Sequence, residues 1–510
     1  VVDIIDTGKL MRTDTLTPHD SHQVYCGLDS CVTLEVRNVL EEQVDEHDQL
    51  IYGFERALQA PVLEVMLRGI LTDEYEVNRL LGIYNSRKKR VRSIINEYSF
   101  ATWGKGLNPG SPKQLNEYFY DYMGLLKQYK FERGVRKITT NRDALETLSQ
   151  YRYARPMCNA ILLHRDISKK IGVLNSGIDK DGRMRFAYNI GGTNTGRLSS
   201  STNVFGGGTN GQNITDELRR IFVAEEGRKF GYFDLEQAES RLTAYVAGDE
   251  NYIDACESGD LHVAVARDIW PELKWSLNKD PSEDRTVSEQ KFFRHWTYRD
   301  LAKRGGHLTN YVGGPRSNAK TLHISQEVMS KFQNKYLIRS FPGIRRMHGD
   351  VSIELQTSAT IITPLGRRRL FFGRTWDDDV LRKGVAYRPQ SSVGDILNLG
   401  MWRVWKYAKY VILLAQLHDA ILFSYSDDPE TERKVIKEIT ALMIIPIQVT
   451  AIRKKNPKTR TMIIPVDATV GWNWAKYDKD TNPDGVLSYE KSRGRTRQVS
   501  PGTSLLKRIM

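Results

Sequence analysis

Residues 230–241 read FGYFDLEQAESR, an apolar aromatic run that ends on Asp234 and passes directly into a polar segment. Short runs of this kind read as buried strands, so 230–235 is expected to carry a carboxylate at the end of a core strand. A second stretch answers it. VILLAQLHDAILFS at 411–424 has two apolar halves around His418 and Asp419, the pattern of strands joined by a polar turn. Alone, each aspartate reads as a turn or capping residue. Brought together, two rigidly held carboxylates repel unless cations bridge them, and Mg²⁺ suits hard oxygen ligands. A pair of such ions about 3.5–4 Å apart can activate an attacking oxygen and stabilise a leaving one in phosphoryl transfer.

Between these strands lies YRDLAKRGGHLTNYVGG at 298–314, in which Arg299, Lys303, His307 and Tyr311 recur at intervals of four. On a helix they fall along one drifting face, a stripe able to cradle a triphosphate and stack on its base. In isolation a solvated amphipathic helix explains the pattern more simply, and the two aspartate-bearing segments reverse that preference.

The rest of the chain is compatible. Its 510 residues suffice for about three domains, and 40% apolar with 27% charged residues exclude a disordered or fibrous chain. A formal net charge of +13 points to a polyanionic partner, nucleic acid before membrane. The four cysteines, Cys26, Cys31, Cys158 and Cys256, lack paired CxxC spacing, which argues against a disulfide framework or zinc site and for a reducing compartment. The apolar run at 410–417 is too short to span a bilayer. The opening VVDIID carries acids where a signal peptide carries bases and has no initiator Met, so the chain is expected to begin inside a longer product. ERALQAPVLEVMLRG at 55–69 reads as a core-facing helix stopped by Gly69, RKKRVR at 87–92 as a solvated face or a phosphate contact, and 475–510, with KSRGRTR, as a basic tail. Gly- and Asn-rich segments near residue 190 mark a boundary.

In order, these segments resemble family A DNA polymerases, the group of bacterial DNA polymerase I and many phage replicases. DLEQAESR at 234–241 is similar to motif A, RDLAKRGGHLTNY at 299–311 to motif B and LHDA at 417–420 to motif C. TNTGRLSSS at 193–201, QNITDELRRIFVAEEG at 212–227, SGDLH ending at His262, SFPGIR at 340–345, TPLGRRR at 363–369 and YRPQSSVGD with Gln390 agree in sequence order. The resemblance covers roughly residues 20–474 and implies an α/β (α+β) right hand. Its expected parts are a thumb at 49–185, a palm at 186–245 and 385–474, fingers at 246–384 and the basic tail at 475–510.

The resemblance further implies that Asp234, Asp419 and the Leu235 carbonyl hold two Mg²⁺ ions, with Mn²⁺ an acceptable substitute. Arg299, Lys303 and His262 fall at the triphosphate, and Arg197, Gln390 and His418 at primer, template or nascent pair. Glu239 falls where the family crowds the ribose 2′ oxygen, which opposes the alternative of a single-subunit RNA polymerase. Retention of the charged set opposes a catalytically silent DNA-binding protein. Expected partners are primer-template DNA, deoxynucleoside triphosphates and replication accessory proteins, without a membrane. The expected setting is the cytoplasm, of a bacterial host if the origin is a phage. Departures are His307 in place of Phe or Tyr, Val312 in place of Gly after Tyr311, Ala420 in place of Glu, and Gly305 and Gly306, which are expected to loosen the motif B helix. Tyr25 and Asp29 resemble the last motif of a 3′–5′ exonuclease, so residues 1–48 read as the end of such a domain, without the DxE pair its catalysis needs.

Overall fold

The computed structural model describes residues 17–498 except 133, 204–205, 279, 294–295 and 453–456. The opening VVDIID and the last residues of the expected tail therefore lie outside the described residues. A five-stranded antiparallel sheet organises the site, its strands being β1 (Arg228–Leu235), β2 (Val411–Leu417), β3 (Ala420–Ser426), β4 (Val466–Gly471) and β5 (Leu487–Ser488). Their spatial order is β2-β3-β1-β4-β5, with β1 in the middle. Period-two burial in β1 leaves Tyr232 and Asp234 partly accessible while Gly231, Phe233 and Leu235 are buried. The Phe233 and Phe423 rings meet edge to face at 5.0 Å between centroids.

The helices that frame the site and its supports, in chain order, are α1 (Pro18–Glu41), α2 (Glu46–Arg68), α3 (Glu74–Trp103), α4 (Arg155–Leu174), α5 (Ala238–Ala247), α6 (Leu261–Ile269), α7 (Pro281–Ser288), α8 (Tyr298–Asn310), α9 (Gln326–Asn334), α10 (Pro342–Ser358), α11 (Asp378–Tyr407) and α12 (Pro429–Met443). Other helices are referred to by residue number. The expected face of α2 forms: Leu58, Val62 and Val65 are buried, each contributing roughly 1.5–3 kcal/mol, and Gly69 ends the helix at φ 66°. Helix α3 packs on α4 and carries RKKRVR, of which Val91 is buried. Helices α11 and α12 pack on the sheet, α11 against β2 and β3, α12 against β3 and β4. No helix of the described residues is long and apolar enough to cross a membrane.

Two expectations change. The stretch read as a basic tail is folded as far as it is described: β5 extends the sheet by pairing Val470 with Leu487 and Thr469 with Ser488. The Arg495 guanidinium lies 4.4 Å from the Tyr477 ring centroid and 5.4 Å from that of Trp472, and it donates to the Gly485 carbonyl at 3.2 Å. A two-residue strand carries too little pattern to read from sequence. Gly305 and Gly306, expected to loosen α8, are instead both buried in its packed face, and a Cβ at 305 would lie 3.1 Å from the Phe332 ring of α9, so the glycine permits close packing.

Candidate active site at the end of the sheet

Strand register brings the two sequence-predicted aspartates together. Asp234 is opposite Ala420 of β3 on one side and Asp467 of β4 on the other, and Asp419 precedes Ala420 in the β2–β3 turn. The Leu235 N–H donates to the Asp419 carbonyl at 2.9 Å, tying the strand end to the turn. His418 sits exposed in that turn at φ 48°, a left-handed conformation that costs a non-glycine residue about 1–3 kcal/mol.

Both carboxyls are raised above the ordinary aspartate value. Burial lifts Asp234 most, then the charges of Asp419, Asp467 and Glu236, against Arg219, bringing it to about 7. Burial also raises Asp419; Arg197 pulls it down, Glu239 adds to the rise, and His418 and His307 offset part of it. Asp419 Oδ1 is buried without a hydrogen-bond partner, because Arg197 Nη2, at 3.6 Å, is within ion-pair range but too far to donate. Mutually repelling carboxylates with an unmatched oxygen fit a divalent cation. Among the described residues no group of three His, Cys, Asp or Glu side chains is arranged to hold a metal.

Glu239, in the first turn of α5, accepts from Arg197 Nη2 and from the Tyr311 hydroxyl, each at 2.6 Å. Arg197 Nε donates to the Gln390 carbonyl at 3.0 Å, and its stem lies on α11 where Gly394 makes room: a Cβ there would be 2.8 Å from Arg197 Cγ. Gln390 thus meets Arg197 through its main chain. Burial and then Glu239 hold the Tyr311 phenol well above its ordinary range, so it stays a donor.

The motif B stripe is divided. Helix α8 opens with a Thr297/Asp300 capping box and closes at Asn310, so Tyr311 lies just beyond it rather than on its face. Asn310 is fixed from three sides: Tyr336 OH donates to its Oδ1 at 2.9 Å, its Nδ2 donates to Tyr252 OH at 2.9 Å, and His348 Nε2 lies 2.8 Å from its carbonyl. Val312 follows at φ 61°. Lys303 and His307 are exposed, and the His307 ring meets Tyr311 edge on at 4.8 Å. Arg299 turns to Asp260, donating from Nε at 3.0 Å and Nη2 at 3.1 Å. Asp260 also caps α6, accepting from the backbone N–H groups of His262 and Val263. Burial first, then Arg299, pushes the His262 imidazole down to about 4, against Asp260. His262 is therefore neutral near pH 7.

Tyr25 and Asp29 stand one turn apart on α1, both exposed, and α1 buries no residue. Sequence reading missed Asp467 and Asp260. Asp467 was visible only through strand register. Asp260 had a local signal, an aspartate two residues before His262 at a helix start.

The sequence model for DNA polymerase family A matches residues 79–476. DNA polymerase I of Chloroflexus aurantiacus is 26% identical over 490 residues, covering 88% of this chain and 48% of that protein. DNA polymerase I of Mycobacterium leprae is 30% identical over 417 residues, covering 76% of this chain and 42% of that protein. The chain thus spans about half the length, or less, of these curated relatives. The polymerase domain of Pol1 from M. smegmatis, solved in complex with DNA primer-template and dNTP, superposes with a TM-score of 0.69 at 24% identity, covering 87% of this chain and 74% of that one.

Proposed function

The chain belongs to DNA polymerase family A and has the fold of its polymerase domain, and on that premise we propose that it extends a DNA primer along a template from deoxynucleoside triphosphates. The observation that carries the reading is the convergence of Asp234 and Asp419, both raised in pKa and the second with an unpartnered buried oxygen, beside Glu239 in the grip of Arg197 and Tyr311. Asp234, Asp419 and the Leu235 carbonyl are the residues proposed to hold Mg²⁺, as two ions or with Mn²⁺ in its place. Bound there, the metal supplies charge neutralisation for attack of the primer 3′ hydroxyl on the α-phosphorus. Ala420 brings no carboxylate, so Asp234 and Asp419 would be the two acidic side chains that hold the cation, in keeping with the few carboxylates Mg²⁺ commonly takes.

The chain's own residues position the reactants. Glu239, pinned through both oxygens, holds a fixed volume where the ribose 2′ oxygen would fall. Arg299, Lys303 and neutral His262 attract and orient the triphosphate, with His307 beside them; Arg197, Gln390 and His418 contact primer, template or nascent pair. Positioning and electrostatics supply most of the acceleration. The proposed hand has its thumb at 49–185, fingers at 246–384 and palm at 186–245 and 385–474, the palm extended by the β5 segment. The relative's DNA primer-template and dNTP are the partners proposed for this chain. The four free cysteines suit a reducing cytoplasm, of a bacterial host for a phage enzyme, and replication accessory proteins complete the proposed partners. Tyr25 and Asp29 are proposed as a remnant of an exonuclease-like fold without activity of its own.

Primer extension with deoxynucleotides, with ribonucleotides and without nucleotide, each with and without Mg²⁺, tests the reading. Mg²⁺-dependent extension by deoxynucleotides is expected. Preference for ribonucleotides would favour an RNA polymerase, and DNA binding without extension a silent relative.

A further inference from the structure

The arginine assigned to the triphosphate is already engaged. Arg299 commits Nε and Nη2 to the two oxygens of Asp260, a two-point contact to a part-buried carboxylate. Asp260 Oδ2 takes a third charged donor, Arg285 Nη1 of α7, at 2.7 Å. The Arg285 Nε also donates to Glu289, one turn on. Because Asp260 caps α6, two residues before His262, one carboxylate joins the starts of α6 and α8 to the middle of α7.

A nucleotide that recruits Arg299 must take it from Asp260. Were Arg299 the sole counter-charge, its departure would leave an uncompensated anion beside the arriving triphosphate, and both repulsion and desolvation would oppose binding. Arg285 removes that difficulty, since it approaches Asp260 from another helix and can stay in place while Arg299 turns.

We propose that Arg285 is a positioning residue for nucleotide binding, holding the Asp260 carboxylate when Arg299 moves to the triphosphate. The inference rests on the polymerase reading above. Arg285 acts through Asp260 and needs no contact with the nucleotide. Its side chain is 46% exposed, so the effect is that of a solvent-screened pair, roughly 2- to 5-fold in affinity.

The test is a double-mutant cycle in pre-steady-state single-nucleotide insertion on primer-template DNA, with Mg²⁺. Arg285→Gln is expected to weaken apparent dNTP affinity by roughly 2- to 5-fold and to lower the maximal insertion rate less. Arg285→Lys, which keeps the charge, should restore most of the loss. In an Asp260→Asn background, which keeps a capping oxygen but no charge, Arg285→Gln should have no further effect. An equal loss in both backgrounds would mean direct action on the nucleotide and would overturn the proposal, as would unchanged affinity in Arg285→Gln. Should Arg285→Gln melt early, Arg285→Lys and its Asp260→Asn double mutant carry the same cycle, with a smaller loss confined to the Asp260 background. Failure of the unaltered chain to extend a primer would instead overturn the polymerase reading itself.

Discussion

At the sheet end of the site, Asp234 and Asp419 are gathered with Asp467 and Glu236 nearby, and the Asp419 Oδ1 atom has no donor. At the helix end, Arg299 is matched by Asp260, which Arg285 supports in turn. The first arrangement gathers unfavourable negative charge, which a bound cation would relieve. The second is satisfied as it stands, so an incoming anion must compete for its arginine. On the proposed function, one end would be completed by its ligand and the other contested by it.

The strongest way to break this contrast is at the sheet end. Asp234→Ala or Asp419→Ala is expected to cut primer extension by about 1000-fold or more while primer-template affinity, followed by fluorescence anisotropy, stays within error. Substantial Mg²⁺-dependent synthesis by either variant would refute the assignment. Between the two ends, Glu239→Ala should lower discrimination against ribonucleotides by about 10- to 100-fold, read as the ratio of insertion efficiencies. Tyr311→Phe should lower it less, because Arg197 still holds Glu239 Oε1. Equal effects would assign the gate to the tyrosine.

The cost of the sheet end is also measurable as stability. The folded Asp234 carboxyl is raised to about 7 from the ordinary 3.8 of an aspartate, so between these values the folded state binds more protons than the unfolded one. Its contribution is therefore most favourable below that window, declines as pH rises through it and is fully unfavourable above it. In EDTA, unaltered protein should lose about 2.5 kcal/mol relative to Asp234→Asn between pH 5 and pH 8, and Mg²⁺ should recover most of that at pH 8. Parallel stability profiles for the two proteins would show that the carboxyl is not strained. The smallest effect is expected beside Tyr311, where Val312→Gly should relieve the φ 61° conformation and stabilise by about 1 kcal/mol, measured by denaturant unfolding.

What could be read from sequence was local. FGYFDL and VILLAQLHDAILFS announce their strands and turn by apolar pattern, so Asp234 and Asp419 were found, as was the helix that carries Arg299 and Lys303. Pairing across strands leaves no such trace: Asp467 joins the site because β4 is registered on β1, a fact held by 230 intervening positions rather than by its neighbours. The four-residue spacing of the motif B stripe correctly indicated a helix but not the separate partners of its members. Arg299 follows Asp260, and Tyr311 leaves the helix for Glu239.

The order β2-β3-β1-β4-β5 also constrains how the molecule comes into being. During synthesis β1 leaves the ribosome with no partner, and residues 236–410 must follow before β2 and β3 can flank it on one side. Its other edge waits longer still, for β4. Such distant pairings make the sheet a late and slow product of folding, whereas α3 and α4 can pack as soon as residue 174 has emerged. A ribosome that stops before residue 466 therefore releases the strand bearing Asp234 with an open edge, a template for aggregation in place of a closed sheet.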